Sequence, residues 1–219
     1  MNILKINFLI IAILICGFSV SAQNPYPGEN ETDRFTWSVK FSGEKPSLKD
    51  FVQSYLEECG SGDQELNEIA EALAPVWEKY LKNKPQDKHE TLIVDTKNGY
   101  LRYEGVYTHD NVKEKDVIEM CYWNCSDNKH KLFAISYSNF QNDKPFNTEY
   151  TGLSFDIYNN AKRKMTSYYG SELGIELESD DTIVYSLPRV GKTLVATIYK
   201  KSGQEKVEFE WNGLKFNKK

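Results

Sequence analysis

The sequence predicts an α+β fold: an N-terminal strand and a two-helix hairpin packed on a large antiparallel sheet built as a β-meander. Three observations predict it. Apolar residues recur at helical spacing only between residues 47 and 82. From residue 91 to 216 they recur at strand spacing. That second stretch is punctuated by short turn-forming segments such as Lys97-Asn98-Gly99, Ser126-Asp127-Asn128 and Ser202-Gly203. Consecutive strands joined by short turns pair antiparallel, and a meander of this length can also curl toward a barrel.

Taken in order, residues 1–22 read as a secretory signal peptide. Lys5 stands in a short start, an apolar run follows from Phe8 to Ile15, and Val20-Ser21-Ala22 offers a small-residue cleavage site before Gln23. A lipid anchor on Cys16 is the competing reading, but the residue before such a cysteine should be small and here it is Ile15. Residues 23–33, polar and carrying Pro25, Pro27 and Gly28, read as a flexible arm, and residues 34–219 as a single domain. Phe35, Trp37, Val39 and Phe41 alternate with polar residues as in a half-buried strand.

Ser47 is placed to cap a helix whose apolar stripe is Leu48, Phe51, Val52, Tyr55, Leu56 and Cys59, closed by Gly60. A second helix is expected from about Asp63 to Leu81. Its apolar spacing stays in phase across Pro75, which predicts a kink or a restart. Nine strands are then expected: Thr91 to Asp95, Tyr100 to Thr108, Asp116 to Asn124, Lys131 to Ser138, Leu153 to Tyr158, Lys164 to Tyr169, Thr182 to Leu187, Leu194 to Tyr199 and Lys206 to Trp211. Val207, Phe209 and Trp211 alternating with charge predict one wet face, whereas the continuous run from Val117 to Trp123 predicts a strand covered on both faces.

Composition narrows the chemistry. The formal charge is -5, and the leader removes Lys5 and no acid, leaving -6. An acidic chain without a basic stripe is a poor nucleic-acid partner, and Lys162-Arg163-Lys164 reads as solvated loop charge. No second long apolar run follows the leader, so no transmembrane segment is expected after cleavage.

Val190-Gly191-Lys192-Thr193 resembles the tail of a phosphate loop. Ser186 stands where the first glycine belongs, so the segment is read as a hairpin turn. His89, His109 and His130 fall in polar, turn-like segments with no recognisable nucleophile motif. Glu104, Glu119 and Asp156 are acids inside expected strands and are the candidates for a hydrolase using paired carboxylates, which must face one another about 5 to 10 Å apart. Alternation can equally place each on a solvated face.

Aromatic residues make up 13% of the chain, enough to carry a binding function. Tyr100, Tyr103, Tyr107, Trp123, Tyr137 and Tyr158 are the binding candidates, since Tyr and Trp stack on sugar rings and anchor interfaces. The same residues also suit strands for packing alone.

Cys121 and Cys125 bracket the stretch CYWNC. Three intervening residues in a meander do not match a thioredoxin-like site, and zinc would want further ligands. Along a continuous strand the two lie about 13 Å apart, beyond the roughly 7 Å that a disulfide spans. Cys121 is therefore expected in the core, with a Cys59–Cys121 disulfide as the better pairing if one forms. No cofactor or metal is expected.

The leader ending Val-Ser-Ala-Gln, the Tyr-rich meander, Leu187-Pro188-Arg189, Gly191-Lys192 and the closing Trp211 to Phe216 resemble secreted proteins of Bacteroidetes bacteria. That resemblance implies a Gram-negative envelope or extracellular setting, and neither an activity nor site residues. The reading is a secreted or periplasmic, non-catalytic binding or interaction protein whose ligand is a glycan, an envelope component or a protein. The alternatives are the paired-carboxylate hydrolase and a small-ligand carrier that would need a barrel-like cavity.

Overall fold

The computed structural model describes residues 35–60, 68–148, 151–168 and 173–219. The leader and the arm lie outside the described residues, as does the expected start of the second helix before Glu68. Among the described residues, two helices and two antiparallel sheets form three layers, helices on one sheet and a second sheet on its far side.

Helix α1 (Leu48–Gly60) begins directly after Ser47, which Asp50 in the first turn holds in place. The Asp50 carboxylate accepts from the Ser47 N–H and from its hydroxyl, both at 2.7 Å, and the Ser47 carbonyl takes the Phe51 N–H. Helix α2 (Glu68–Leu81) runs through Pro75 without a new element beginning there. Both helices press their apolar stripes onto the larger sheet: Phe51 sits edge-on against Tyr122 and Tyr158, with ring centroids 5.4 and 5.1 Å away.

The larger sheet holds β1 (Thr36–Ser38), β2 (Glu90–Asp95), β3 (Tyr100–His109), β4 (Val112–Asn124), β5 (His130–Gln141), β6 (Lys144–Phe146), β7 (Gly152–Asn159) and β8 (Lys164–Ser167). Its order is β1-β8-β7-β5-β4-β3-β2, with β6 pairing beside β5. The smaller sheet holds β9 (Thr182–Ser186), β10 (Thr193–Lys200), β11 (Gly203–Trp211) and β12 (Phe216–Lys218), in the order β12-β11-β10-β9.

The meander therefore does not continue as one sheet or close into a barrel; its last four strands fold back over the larger sheet. Period-two patterns fix which side of a strand is buried, and nothing in them says which sheet a strand joins. Between the sheets lies a filled core that includes Trp123, Leu132, Phe155, Leu194, Phe209 and Trp211. A carrier cavity enclosed by a barrel is thus not formed.

Two short strands, β6 and β12, escape the sequence pattern because three residues hold too few alternations to read. β4 is covered on both faces as its run predicts: Ile118 and Met120 meet the helices, while Cys121 and Trp123 meet the second sheet. β11 shows the expected wet face, with Lys206, Glu208 and Glu210 exposed.

Two-residue turns join β3 to β4 and β5 to β6. Asp110 and Asn111, and Asn142 and Asp143, all adopt positive φ, as Asn and Asp tolerate and as tight hairpins demand. The outer edge of β2 is closed by a side chain. The Gln86 amide donates to the Leu92 carbonyl at 3.0 Å and accepts from the Leu92 N–H at 2.8 Å, imitating a neighbouring strand.

Candidate functional site

Strand register assembles one polar row after another on the helix side of the larger sheet. Gly105, Asp116 and Asn139 stand side by side across β3, β4 and β5, and Tyr107, Glu114 and Gln141 form the next row toward the β3–β4 turn. Buried Asp116 is the centre. Its carboxylate accepts from the Tyr107 hydroxyl at 2.9 Å and from the Asn139 amide at 2.7 Å. The same Asn139 nitrogen donates to the Tyr137 hydroxyl at 3.0 Å, and the Tyr137 hydroxyl donates to Glu68, on the first turn of α2, at 3.5 Å. In the outer row, the Gln141 amide donates to Glu114 at 3.1 Å.

At Gly105 the first row carries no side chain, and Tyr103 takes the space. A Cβ there would lie 2.3 Å from the Tyr103 hydroxyl, so the Tyr103 ring occupies the space that any other residue would fill. Burial pushes the Asp116 carboxyl above its usual range, against the pull of its Tyr107 and Asn139 hydrogen bonds. Burial likewise pushes the Tyr103 hydroxyl up to about 12, with the charges of Glu90 and Asp116 adding to the effect, and it raises Tyr107 and Tyr137 further. These phenols stay protonated, and those of Tyr107 and Tyr137 donate to Asp116 and Glu68.

The six aromatic binding candidates do not share a face. Tyr100 and Trp123 are buried between the sheets; Tyr103, Tyr137 and Tyr158 are buried on the helix side. Tyr107 alone of the six is open, 46% exposed, with its hydroxyl held by Asp116. An exposed aromatic tray is therefore not formed, because alternation sends neighbouring rings to opposite cores. Tyr158 is fully buried, and its hydroxyl has no hydrogen-bond partner among the described residues.

Nor do the three candidate carboxylates assemble. Glu104 and Glu119 face the smaller sheet, joined through Arg102, whose guanidinium donates to Glu119 at 2.7 Å and to Glu104 at 3.0 Å. Glu119 also accepts from the Tyr100 hydroxyl and the Leu187 N–H, each at 2.7 Å, and so binds the second sheet to the first. Asp156 points to the other face, hydrogen-bonded with Ser167, where burial pushes its carboxyl up to about 7. A pairing of Asp156 with either of the others is excluded by that face change.

Cys121 is a free thiol. The Cys59–Cys121 disulfide is not formed: α1, which carries Cys59, packs on the helix side of the larger sheet, whereas Cys121 points into the core between the sheets. Burial and the nearby Glu119 charge push that thiol well above its usual range, which leaves it a poor nucleophile. His130 is buried, in contrast to its reading as a polar turn residue. One ring nitrogen lies 2.5 Å from Asp127 and the other 3.0 Å from the Asn159 amide, so it braces the β4–β5 turn against β7.

Asp116, Asn139 and Glu68 were not legible as site residues. The sequence pattern starts β4 at Asp116, four residues late, and so makes a central carboxylate look terminal. A glycine inside a strand, Gly105, was the available signal. No protein-family model matches the chain, and neither does any curated protein or solved structure.

Proposed function

We propose that the protein is a secreted or periplasmic, non-catalytic binding protein that holds a carbohydrate on the rows around Tyr107. The observation that carries this reading is a single exposed tyrosine ring fixed by a buried carboxylate beside further amide and carboxylate groups. A sugar presents an apolar ring face and a rim of hydroxyls. Tyr107 offers the matching surface for the first, while Asp116, Glu114 and Gln141 offer acceptors and donors for the second. Asp116 accepts two hydrogen bonds from the protein and keeps lone pairs for a ligand hydroxyl. The leader pattern and the resemblance to secreted Bacteroidetes proteins support the setting.

The test is to screen protein recovered from the periplasmic or culture fraction on a glycan array and titrate any hit by calorimetry with wild type and Tyr107→Ala. Loss of stacking should weaken binding by about 10-fold, from roughly 1.4 kcal/mol, alongside a modest loss of thermal stability because buried Asp116 loses a donor. Failure to retain any glycan, or an affinity unchanged in Tyr107→Ala, would overturn the proposal.

A further inference from the structure

The strand-joining turns at the two ends of the sheets differ in charge, although the chain as a whole is modestly acidic. Five strand-joining turns gather at one end: 96–99 between β2 and β3, 125–129 between β4 and β5, 160–163 between β7 and β8, 187–192 between β9 and β10, and 212–215 between β11 and β12. The two sheets are fastened together there, with Arg189 donating to Asp95 at 2.8 Å, the Ser126 N–H to the Gly213 carbonyl at 3.0 Å, and the Trp211 ring N–H to the Asn124 carbonyl at 3.1 Å.

These five turns contain seven cations and a single acid, Asp127, which lies against His130. Lys97, Lys129 and Arg163 project from the larger sheet, and Lys192 and Lys215 from the smaller; all are exposed. Among them stand two apolar residues in adjacent turns, Val190, 75% exposed, and Leu214, 44% exposed. The turns β3–β4, β5–β6 and β10–β11 and the approach to β9 from residue 173, at the opposite end, hold six acids and one lysine.

We propose that the basic end docks on an anionic lipid surface, with Val190 and Leu214 entering the headgroup layer and the surrounding cations meeting lipid phosphates. Charge alone would suit any polyanion. The apolar tips decide the occupant, because a hydrated polysaccharide or nucleic acid offers nothing for an exposed Val and Leu, whereas an interfacial site combines a small apolar insertion with a cationic rim. Docked in this way, the molecule points the Tyr107 rows away from the lipid.

The experiment is co-sedimentation of the exported protein with vesicles of phosphatidylcholine alone or mixed equally with phosphatidylglycerol. Three variants accompany it: Lys192→Glu/Lys215→Glu, Val190→Ser/Leu214→Ser, and Lys200→Glu/Lys201→Glu at the opposite end. The altered residues are exposed, and circular dichroism verifies that each variant folds. Wild type should bind only the anionic vesicles, less so as salt rises, since each cation near such a surface contributes about 5-fold in partitioning. The first two variants should lose binding by about 5-fold or more and the third should keep most of it. Equal partitioning to both vesicle types, or no partitioning, overturns the proposal. So does unchanged vesicle binding in Val190→Ser/Leu214→Ser, which would mark a site for soluble polyanions, as competition by heparin would then show.

Discussion

At the tyrosine end of the sheets the chemically distinctive groups stand inside strands, whereas at the basic end they stand in turns. Asp116, Asn139 and Tyr107 meet because register aligns them across three strands, with Tyr103 packed beside them in the space that Gly105 leaves. Lys97, Lys129, Arg163, Lys192 and Lys215 meet because antiparallel connectivity returns alternate turns to the same end of both sheets. A strand-built site depends on alignment and is sensitive to one added methyl group. A turn-built surface depends on the sheets staying stacked and tolerates change at any one position.

The strongest way to break that contrast is to loosen the stacking itself. Glu119→Ala removes the acceptor of Tyr100, Arg102 and the Leu187 N–H, which should cost about 3 kcal/mol in urea-induced unfolding. Amide exchange should quicken across residues 187–192, so that the Val190 turn suffers before the Tyr107 rows do. A loss below about 1 kcal/mol would mean that apolar packing alone holds the sheets together.

Gly105→Ala attacks the other end. Its new Cβ would meet the Tyr103 hydroxyl at 2.3 Å, and displacing that ring should cost about 1 to 3 kcal/mol and alter the near-ultraviolet dichroism. Vesicle binding by the basic turns should be unaffected, and a parallel loss there would show that the two ends are coupled.

A smaller effect comes from Asp156. Its folded carboxyl holds a proton up to about pH 7, whereas an unfolded aspartate releases it near 3.9, so the native state binds more protons in that window. The contribution of Asp156 to stability is therefore greatest below about pH 4, falls as pH rises toward 7 and levels off above it; Asp116 acts with the same sign. Asp156→Asn should flatten the profile of urea midpoint against pH, and an unchanged slope would assign the dependence to Asp116 or another group.

The smallest effect is expected for Arg189→Ala. The Arg189 guanidinium and the Asn98 hydrogen bonds hold the Asp95 carboxyl down to about 2, yet Arg189 is exposed, and solvent screens pairs of this kind. The unfolding midpoint should stay where it is. A clear drop would mean that this contact helps to position the Val190 turn.

Legibility in the sequence followed the range of the interactions. Both helices and the nine longer strands were readable because burial on one side of an element imposes a local period, and the Ser47 cap and the Asn- and Gly-containing turns carry their own backbone preferences. The acidic balance and the absence of a long apolar run after residue 22 were likewise written in composition. Lys162-Arg163-Lys164 read alone as solvated charge, and only the stacked turns gave it company.

What the sequence by itself determined was the longer elements, the antiparallel pairing of those joined by short turns and the buried side of each, since all three depend on residues within a few positions of one another. The tertiary structure decided that the last four strands form a second sheet, that Cys121 faces away from the helix bearing Cys59, that five of six aromatic candidates are buried, and that one carboxylate lies under one open tyrosine. Those outcomes turn on which face meets which layer. The free energy that settles it comes from apolar surface matched between segments far apart in the chain, to which no local period refers.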